Sequence, residues 1–129
     1  MTKPFEFKLT VQADDIDQLN HVNNVVYVQW VQEAALKHWY SLTKKIDTSQ
    51  YIWVVARHEI DYLRQVFLND ELTIKTWIGE TKGSLSIRHV EFYKNNKIVC
   101  RAQTHWRFLS ASTFKPESIP EEILTIFGT

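Results

Sequence analysis

The 129-residue sequence predicts an α+β fold in which an antiparallel sheet packs against one long buried helix. Three observations lead to this prediction. A strand with alternating polar and apolar residues comes first, a long and mostly apolar helix follows it, and four further strand-like stretches come after it. Because short turns join these four stretches, we expect them to pair in sequence as an antiparallel meander.

The first strand is predicted from a period of two. Polar residues alternate with apolar ones, which are Phe5, Phe7, Leu9 and Val11. Such alternation is typical of a half-buried strand and differs from the continuous apolar core of a signal peptide. No apolar run in the sequence approaches the ~20 residues that span a bilayer.

The long helix is predicted from Asn24 to Trp39. Its polar residues Gln29, Glu33 and Lys37 recur every four positions and form one narrow stripe, while most other positions are apolar. A helix with this pattern is buried around most of its circumference. Asn23 is the expected N-cap, and Glu33 with Lys37 is expected to form a solvent-exposed ion pair.

The four later strands are predicted within residues 52–63, 71–78, 84–93 and 98–108. In the first of them, one face is expected to carry Ile52, Val54, Ala56, His58, Ile60 and Tyr62. The segment Lys94–Lys97 reads as a hairpin turn. Near the C-terminus, Ser118 and Glu121 read as a capping box before a short helix that Gly128 ends.

A helix of about 16 residues is ~24 Å long and matches a strand of about eight residues, so a curved sheet is able to wrap it. The second faces of the strands still carry apolar bulk, at Trp53, Val55, Trp77 and Val99. A monomer seldom exposes much contiguous apolar surface, so these residues predict an oligomer.

Composition excludes several functional classes. Lys plus Arg and Asp plus Glu are 15 each, so the basic excess that accompanies nucleic-acid binding is missing. Three glycines cannot build a phosphate-binding loop. The one cysteine, Cys100, cannot form an internal disulfide, which fits the reducing cytoplasm. We therefore expect a cytoplasmic protein without nucleic-acid or membrane partners.

A polar cluster separates the first strand from the long helix and holds three acids, Asp14, Asp15 and Asp17. It is not a calcium loop, since Leu19 and Val26 stand where oxygen ligands belong. A metal held by Asp15, Asp17 and His21 is an alternative, but adjacent acids are common without metal. We expect no metal and no other cofactor.

The cluster and the start of the helix, "DDIDQLNHVNNVVYVQWVQEAA", resemble the signature of the 4-hydroxybenzoyl-CoA thioesterase-like branch of the hotdog-fold acyl-CoA thioesterases. That signature reads D-x-D-x-x-G-H-V-N-N-x-x-Y, and it is matched at Asp15, Asp17, His21, Val22, Asn23, Asn24 and Tyr27. The later strands resemble the family more weakly. Asn20 and Gln65 differ from the glycine and the proline that are common in the family at these positions.

The resemblance implies a single hotdog thioesterase domain over residues 1–129, with a five-stranded antiparallel sheet wrapped around one long helix. It implies hydrolysis of an acyl-CoA, or of an acyl-carrier-protein thioester, to a free acid and a thiol. It also implies a homodimer formed through the sheet edge, or a homotetramer, with active sites at the dimer interface.

The same resemblance makes Asp17 the catalytic carboxylate, as general base or as nucleophile, with His21 assisting. Unpaired amides near Val22, Asn23 and Asn24 at the helix start are expected to polarise the thioester carbonyl. Tyr27 is expected in the core with its hydroxyl near the pocket. Candidates for binding CoA phosphates are Arg57, Arg64, Lys82 and Arg88.

Some residues also have purely structural interpretations. Asp15 is expected to shape the turn rather than react, and His58 and His105 are expected to be structural. Glu33 would be the next carboxylate to consider if Asp17 were a turn residue. Two further functions stay open: a non-catalytic acyl-CoA-binding protein, and a hotdog dehydratase acting on 3-hydroxyacyl thioesters.

Overall fold

A computed structural model describes residues 3–128. Five strands lie within this range: β1 (Phe5–Thr10), β2 (Tyr51–Tyr62), β3 (Glu71–Lys82), β4 (Leu85–Lys94) and β5 (Lys97–Ser110). The helices are α1 (Asn24–Leu42) and the short α2 (Glu121–Ile126), with one turn of 3-10 helix at Ala13–Asp15. The predicted five-stranded antiparallel sheet with one long helix, the hotdog arrangement, is therefore confirmed.

The strand order is β1-β3-β4-β5-β2, and all four pairs are antiparallel. Only β3, β4 and β5 form the expected meander. The prediction that β2 pairs with β3 is wrong, because β2 pairs with β5 and β1 takes the place beside β3. The chain therefore crosses from β2 at one edge of the sheet to β3, next to the opposite edge strand β1, through residues 63–70.

A bulge between Val55 and Arg57 changes which face of β2 is buried. Trp53 packs into the core before it, whereas His58 and Ile60 point inward after it. The single face predicted for β2 is therefore wrong before the bulge, since an extra residue inverts the alternation of side chains.

One face of α1 packs against the sheet. It buries Val26, Tyr27, Trp30, Val31, Ala34, Ala35 and His38. The expectation of burial around most of the circumference is wrong for this chain, since Val25, Leu36 and Tyr40 are exposed on the opposite side. The sheet covers the helix from one side only, so the outer apolar residues have no cover within residues 3–128.

Local signals at the turns are largely confirmed. Asn95 and Asn96 both have positive φ angles in the predicted turn between β4 and β5. Asn23 caps α1, since its side-chain Oδ1 accepts from the Val25 amide at 3.0 Å. The N-cap of α2 is Pro120 rather than Ser118. Neither helix of the described range combines the length and hydropathy of a bilayer-spanning segment.

Candidate active site

The Asp17 loop, residues 17–21, lies directly before α1. A bridge between Ile16 and Val22 closes it, and the Asp17 amide donates to the His21 carbonyl at 2.8 Å. The Asp17 carboxylate Oδ1 accepts from the Leu19 amide at 2.9 Å and from the His21 amide at 3.3 Å. One carboxylate oxygen of Asp17 therefore maintains the loop, while hydrogen bonds of the described residues leave Oδ2 open.

Asn20 allows the loop to turn. Its φ is +63°, in the left-handed region that favours glycine and that asparagine tolerates better than most residues. Asparagine is thus a conservative replacement for the glycine common in the resembled family.

The two acids before Asp17, Asp14 and Asp15, differ from it in their hydrogen bonds and exposure. The Asp15 Oδ2 accepts from the Gln12 amide at 2.8 Å, and the Asp15 carbonyl accepts from the Asn23 amide at 2.9 Å. These bonds support the structural interpretation of Asp15. Asp14 is exposed.

The amides at the helix start are not equally available. The Val22 amide donates to the Val66 carbonyl at 3.0 Å, and the Asn23 amide is bonded to Asp15. The expectation that these two amides polarise a carbonyl is therefore wrong, because both donors are already used. The Asn24 amide begins the helix without a hydrogen bond from the described residues, which leaves it as the candidate oxyanion donor.

The crossing segment 63–70 packs beside the loop. The Val66 carbonyl holds Val22, and the Phe67 ring lies edge-on to His21 with ring centroids 5.6 Å apart. Sequence reasoning missed this segment as part of the site, because its closeness to α1 follows from the strand order. Its one sequence signal was the resemblance of "RHEIDYLRQVF" to the family.

Tyr27 lies in the core, as predicted. Its ring meets Trp30, Tyr62 and Phe92 edge-on, at centroid distances of 5.3, 5.3 and 5.7 Å. Burial is the main cause that raises the pKa of its hydroxyl above the usual value. A neutral Tyr27 is therefore suited to shaping the site rather than to titrating in it.

Exposed apolar side chains lie in the loop, at the helix start, at the end of β2 and in the crossing segment. Those exposed there are Leu19, Val25, Tyr62, Leu63, Phe67 and Leu68, with Leu19 at 71% and Val25 at 62%. By contrast, Glu33 pairs with Lys37 at 3.7 Å on the solvent side of α1, as predicted. Between residues 3 and 128, no group of three His, Cys, Asp or Glu side chains is placed to hold a metal ion.

Of the four basic residues proposed for CoA phosphates, Arg88 is excluded because it is buried, at 5% exposure. Its Nη1 donates to His38 Nδ1 at 2.9 Å and to Thr76 Oγ1 at 3.0 Å. Arg57 pairs with Glu59, and Arg64 Nη1 donates to the Ile98 carbonyl at 2.5 Å. Sequence reasoning missed His38, whose place on the buried face of α1 was the available signal.

Arg88 lines a cavity of about 60 Å³ at the flank of α1, formed by the second half of the helix and the sheet. We term it the Arg88 cavity; its walls include Leu36, Trp39, Trp53, Ile78 and Trp106. Burial lowers the pKa of Arg88 to about 10, and burial together with the Arg88 charge lowers the pKa of His38 to about 4. At neutral pH, therefore, His38 is neutral beside a charged guanidinium.

The profile of the thioesterase-like superfamily matches residues 11–127. This chain belongs to the thioesterase-like superfamily. The predicted assignment to thioester hydrolases is thereby confirmed at the level of the family, and the 4-hydroxybenzoyl-CoA branch stays a prediction.

Two curated relatives differ in how much they share with the chain. The acyl-CoA thioesterase YbgC of Haemophilus influenzae is 23% identical over 127 residues, which cover 95% of this chain and 93% of that protein. The Bacillus subtilis protein YsmA is 33% identical over 67 residues, which cover 52% of this chain and 46% of YsmA. The second match thus spans less than half of its relative.

Solved structures share the fold along most of the chain. A Staphylococcus aureus protein in complex with CoA aligns with a TM-score of 0.88 at 18% identity, covering 98% of this chain and 82% of that one. A Thermus thermophilus thioesterase complexed with coenzyme A and Zn aligns with a TM-score of 0.84 at 23% identity, covering 96% of this chain and 97% of that one. At these identities the similarity establishes the fold.

Proposed function

We propose that this protein hydrolyses acyl-CoA thioesters, with Asp17 as the catalytic carboxylate. The observation that carries the proposal is the pairing of an ordered Asp17 loop with an unbonded Asn24 amide at the start of α1. The superfamily membership, and the CoA bound in two structures of the same fold, support CoA as the carrier. An acyl-carrier-protein thioester is the alternative carrier.

In the proposed reaction, Asp17 Oδ2 takes a proton from water, and the resulting hydroxide attacks the thioester carbonyl carbon. The Asn24 amide and the positive end of the α1 dipole stabilise the charge that develops on the carbonyl oxygen. The C–S bond then breaks, and the leaving thiolate takes up the proton held by Asp17, which regenerates the carboxylate. Direct attack by Asp17 through an anhydride is the second route.

The other predicted site residues take positioning roles in this proposal. His21, the last residue of the loop, packs its ring against Phe67 and contributes one wall. Val22 and Asn23 hold the loop and the helix start in place, while Tyr27 supports the floor. The exposed apolar side chains of the loop, the helix start and the crossing segment give the acyl group a surface to bind. A cytoplasmic location completes the proposal, and the free, buried thiol of Cys100 supports it.

Thiol release from a panel of short, long and aromatic acyl-CoA thioesters tests the function. Asp17→Asn tests the catalytic role, because an asparagine Oδ1 still accepts from the Leu19 and His21 amides and so preserves the loop. We expect kcat to fall by at least about a hundredfold while acyl-CoA binding persists.

Asp14→Asn is the matched control, since it removes the same charge from an exposed position three residues away and should leave kcat unchanged. Asp15→Asn should act mainly through stability. Near wild-type turnover by Asp17→Asn would show that Asp17 is a turn residue. If the wild-type protein instead bound acyl-CoA without any turnover, it would be a non-catalytic binding protein. The observation that favours this alternative is that Asp17 Oδ1 already serves a turn.

A further inference from the structure

The charge of Arg88 is buried without an acidic partner. Across residues 3–128, no carboxylate oxygen lies within the 4.0 Å of an ion pair with its guanidinium. Its side-chain hydrogen-bond partners, His38 and Thr76, are both neutral. Buried charges in proteins are normally paired, because an isolated one costs several kcal/mol of desolvation.

The surrounding side chains do not supply the missing acceptor. Thr76 Oγ1 donates to the His89 carbonyl at 2.9 Å, so the Arg88 bond uses its acceptor side. His38 Nδ1 is an acceptor that Arg88 already occupies. The guanidinium thus meets two neutral acceptors, and its positive charge stays uncompensated within the described residues.

The walls of the Arg88 cavity carry further unused donors. The indole N–H groups of Trp53 and Trp106 are buried without an acceptor among the described residues. Indole and guanidinium groups donate hydrogen bonds and accept none. Because both indole nitrogens are inaccessible to solvent, Arg88 is the charged donor of the cavity, and no carboxylate is among the described residues that line it.

The cavity is suited in size and shape to the end of an organic ligand. Its volume of about 60 Å³ exceeds the ~10–15 Å³ that one water needs. Leu36, in its wall, is 47% exposed, so the cavity opens to the surface beside α1. Trp39 and Ile78 add apolar walls to the cavity.

We propose that the Arg88 cavity binds the carboxylate of a ligand with an apolar or aromatic body, with Arg88 as its counter-ion. The guanidinium pairs with the carboxylate, and the body lies against the tryptophans and Leu36. His38 and Thr76 position Arg88 from the opposite side.

Two kinds of ligand would carry a carboxylate on an apolar body. One is a free carboxylic acid, and the other is a carboxylate at the far end of an acyl group. Leu36 lies 12 residues beyond Asn24, which is ~18 Å along the helix. A small free acid would therefore occupy the cavity without touching the Asp17 loop. The proposal that the cavity binds a carboxylate does not depend on the proposed hydrolysis. Only the proposal that this carboxylate belongs to an acyl group rests on the thioesterase function.

Titration of the whole protein with benzoate and with neutral benzamide tests the site, with tryptophan fluorescence and calorimetry as readouts. Since the pair differs mainly in charge, benzoate should bind at least about tenfold more tightly. Arg88→Met should abolish this preference. Arg57→Met removes an exposed arginine as the matched control and should retain it. Equal binding of the two compounds by the wild type, or a preference that persists in Arg88→Met, would overturn the proposal.

If Arg88→Met did not fold, as judged by circular dichroism and thermal unfolding, Leu36→Trp would decide the question. This change fills the exposed opening and leaves the charges intact, so it should weaken benzoate binding about tenfold or more. Unchanged benzoate binding by Leu36→Trp would contradict the assignment of the ligand to the cavity.

Turnover of paired thioesters distinguishes the two kinds of ligand. Hexadecanoyl-CoA and hexadecanedioyl-CoA share a chain long enough to reach from the start of α1 to the cavity, and only the second carries a distal carboxylate. A selective loss of kcat/KM for hexadecanedioyl-CoA in Arg88→Met would assign the site to the acyl group, whereas equal effects on both would assign it to a free acid. If no thioester were hydrolysed, the proposed function would fail while the benzoate titration still decided the binding site.

Discussion

At the level of single residues, the two carboxylate oxygens of Asp17 have different roles. Oδ1 maintains the turn through two amides, and Oδ2 is left for chemistry in the proposed mechanism. A group whose position is set by its own backbone loses little freedom when substrate binds. Asp17 is therefore able both to hold the turn and to act as the catalytic carboxylate. Asp17→Asn separates the two roles, because it keeps the turn bonds and removes the negative charge.

His38 provides a prediction about pH. Its pKa is lowered from 6.5 to about 4 in the folded protein, so the unfolded chain binds more protons between these values. Stability should therefore fall as the pH drops below 6.5 and lose up to about 3 kcal/mol by pH 4 from this residue. Denaturant unfolding across this pH range measures the effect.

The matched variant is His38→Gln, whose Oε1 can still accept from Arg88 while its side chain does not titrate. Its stability should decline less steeply than that of the wild type over the same pH interval. Parallel pH profiles for the two proteins would mean that His38 is not the group that couples protonation to unfolding.

At the scale of the element, the start of α1 depends on Asn23. The Oδ1 bond to the Val25 amide ends the loop and begins the helix, which leaves the Asn24 amide directed away from the helix. Asn23→Ala should lower the free energy of unfolding by about 1 kcal/mol, and it should also reduce kcat because the helix start frays.

Asn23→Ser keeps a side-chain oxygen at the cap and should retain most of the stability and activity. Denaturant unfolding and thiol-release assays of both variants measure these effects. Equal stability of the Ala and Ser variants would show that the capping bond contributes little to the helix.

At the scale of the whole molecule, the exposed apolar residues bear on assembly. Of the residues predicted to need a partner, Val99 is buried within the chain and Trp53 is half-buried against the core, so neither by itself requires a second subunit. Exposed apolar side chains instead lie around the Asp17 loop and on the outer side of α1. In addition, β2 is a 12-residue strand at the sheet edge.

These features support a homodimer through the β2 edge, alone or within a tetramer, as a proposal. Sedimentation at micromolar concentration should show at least a dimer. Val54→Lys places a charge on the exposed part of β2 and should shift the protein toward monomers with reduced turnover. Thr10→Lys places the same charge on the β1 edge and should leave assembly intact. A monomeric wild type would contradict both the dimer and a shared active site.

Local signals in the sequence predicted much of the fold and of the site. Alternation predicted β1, the apolar helix pattern predicted α1, and Asn95 with Asn96 predicted the hairpin turn. The motif from Asp15 to Tyr27 located the candidate site, since its residues are neighbours along the chain. These features depend on contacts between residues close in sequence, where propensity and spacing are sufficient information.

The tertiary structure decided what depends on residues distant in sequence. The pairing of β2 with β5 depends on which strands compete for each edge. The sequence of β2 by itself does not determine its partner. The bulge at Val55 moved Trp53 into the core, and the crossing segment brought Val66 to the Val22 amide. The Arg88 cavity also depends on residues distant in sequence, because its walls come from α1, four strands and the C-terminal segment. The packing of α1 on β4 places a lone buried arginine against a histidine 50 positions away.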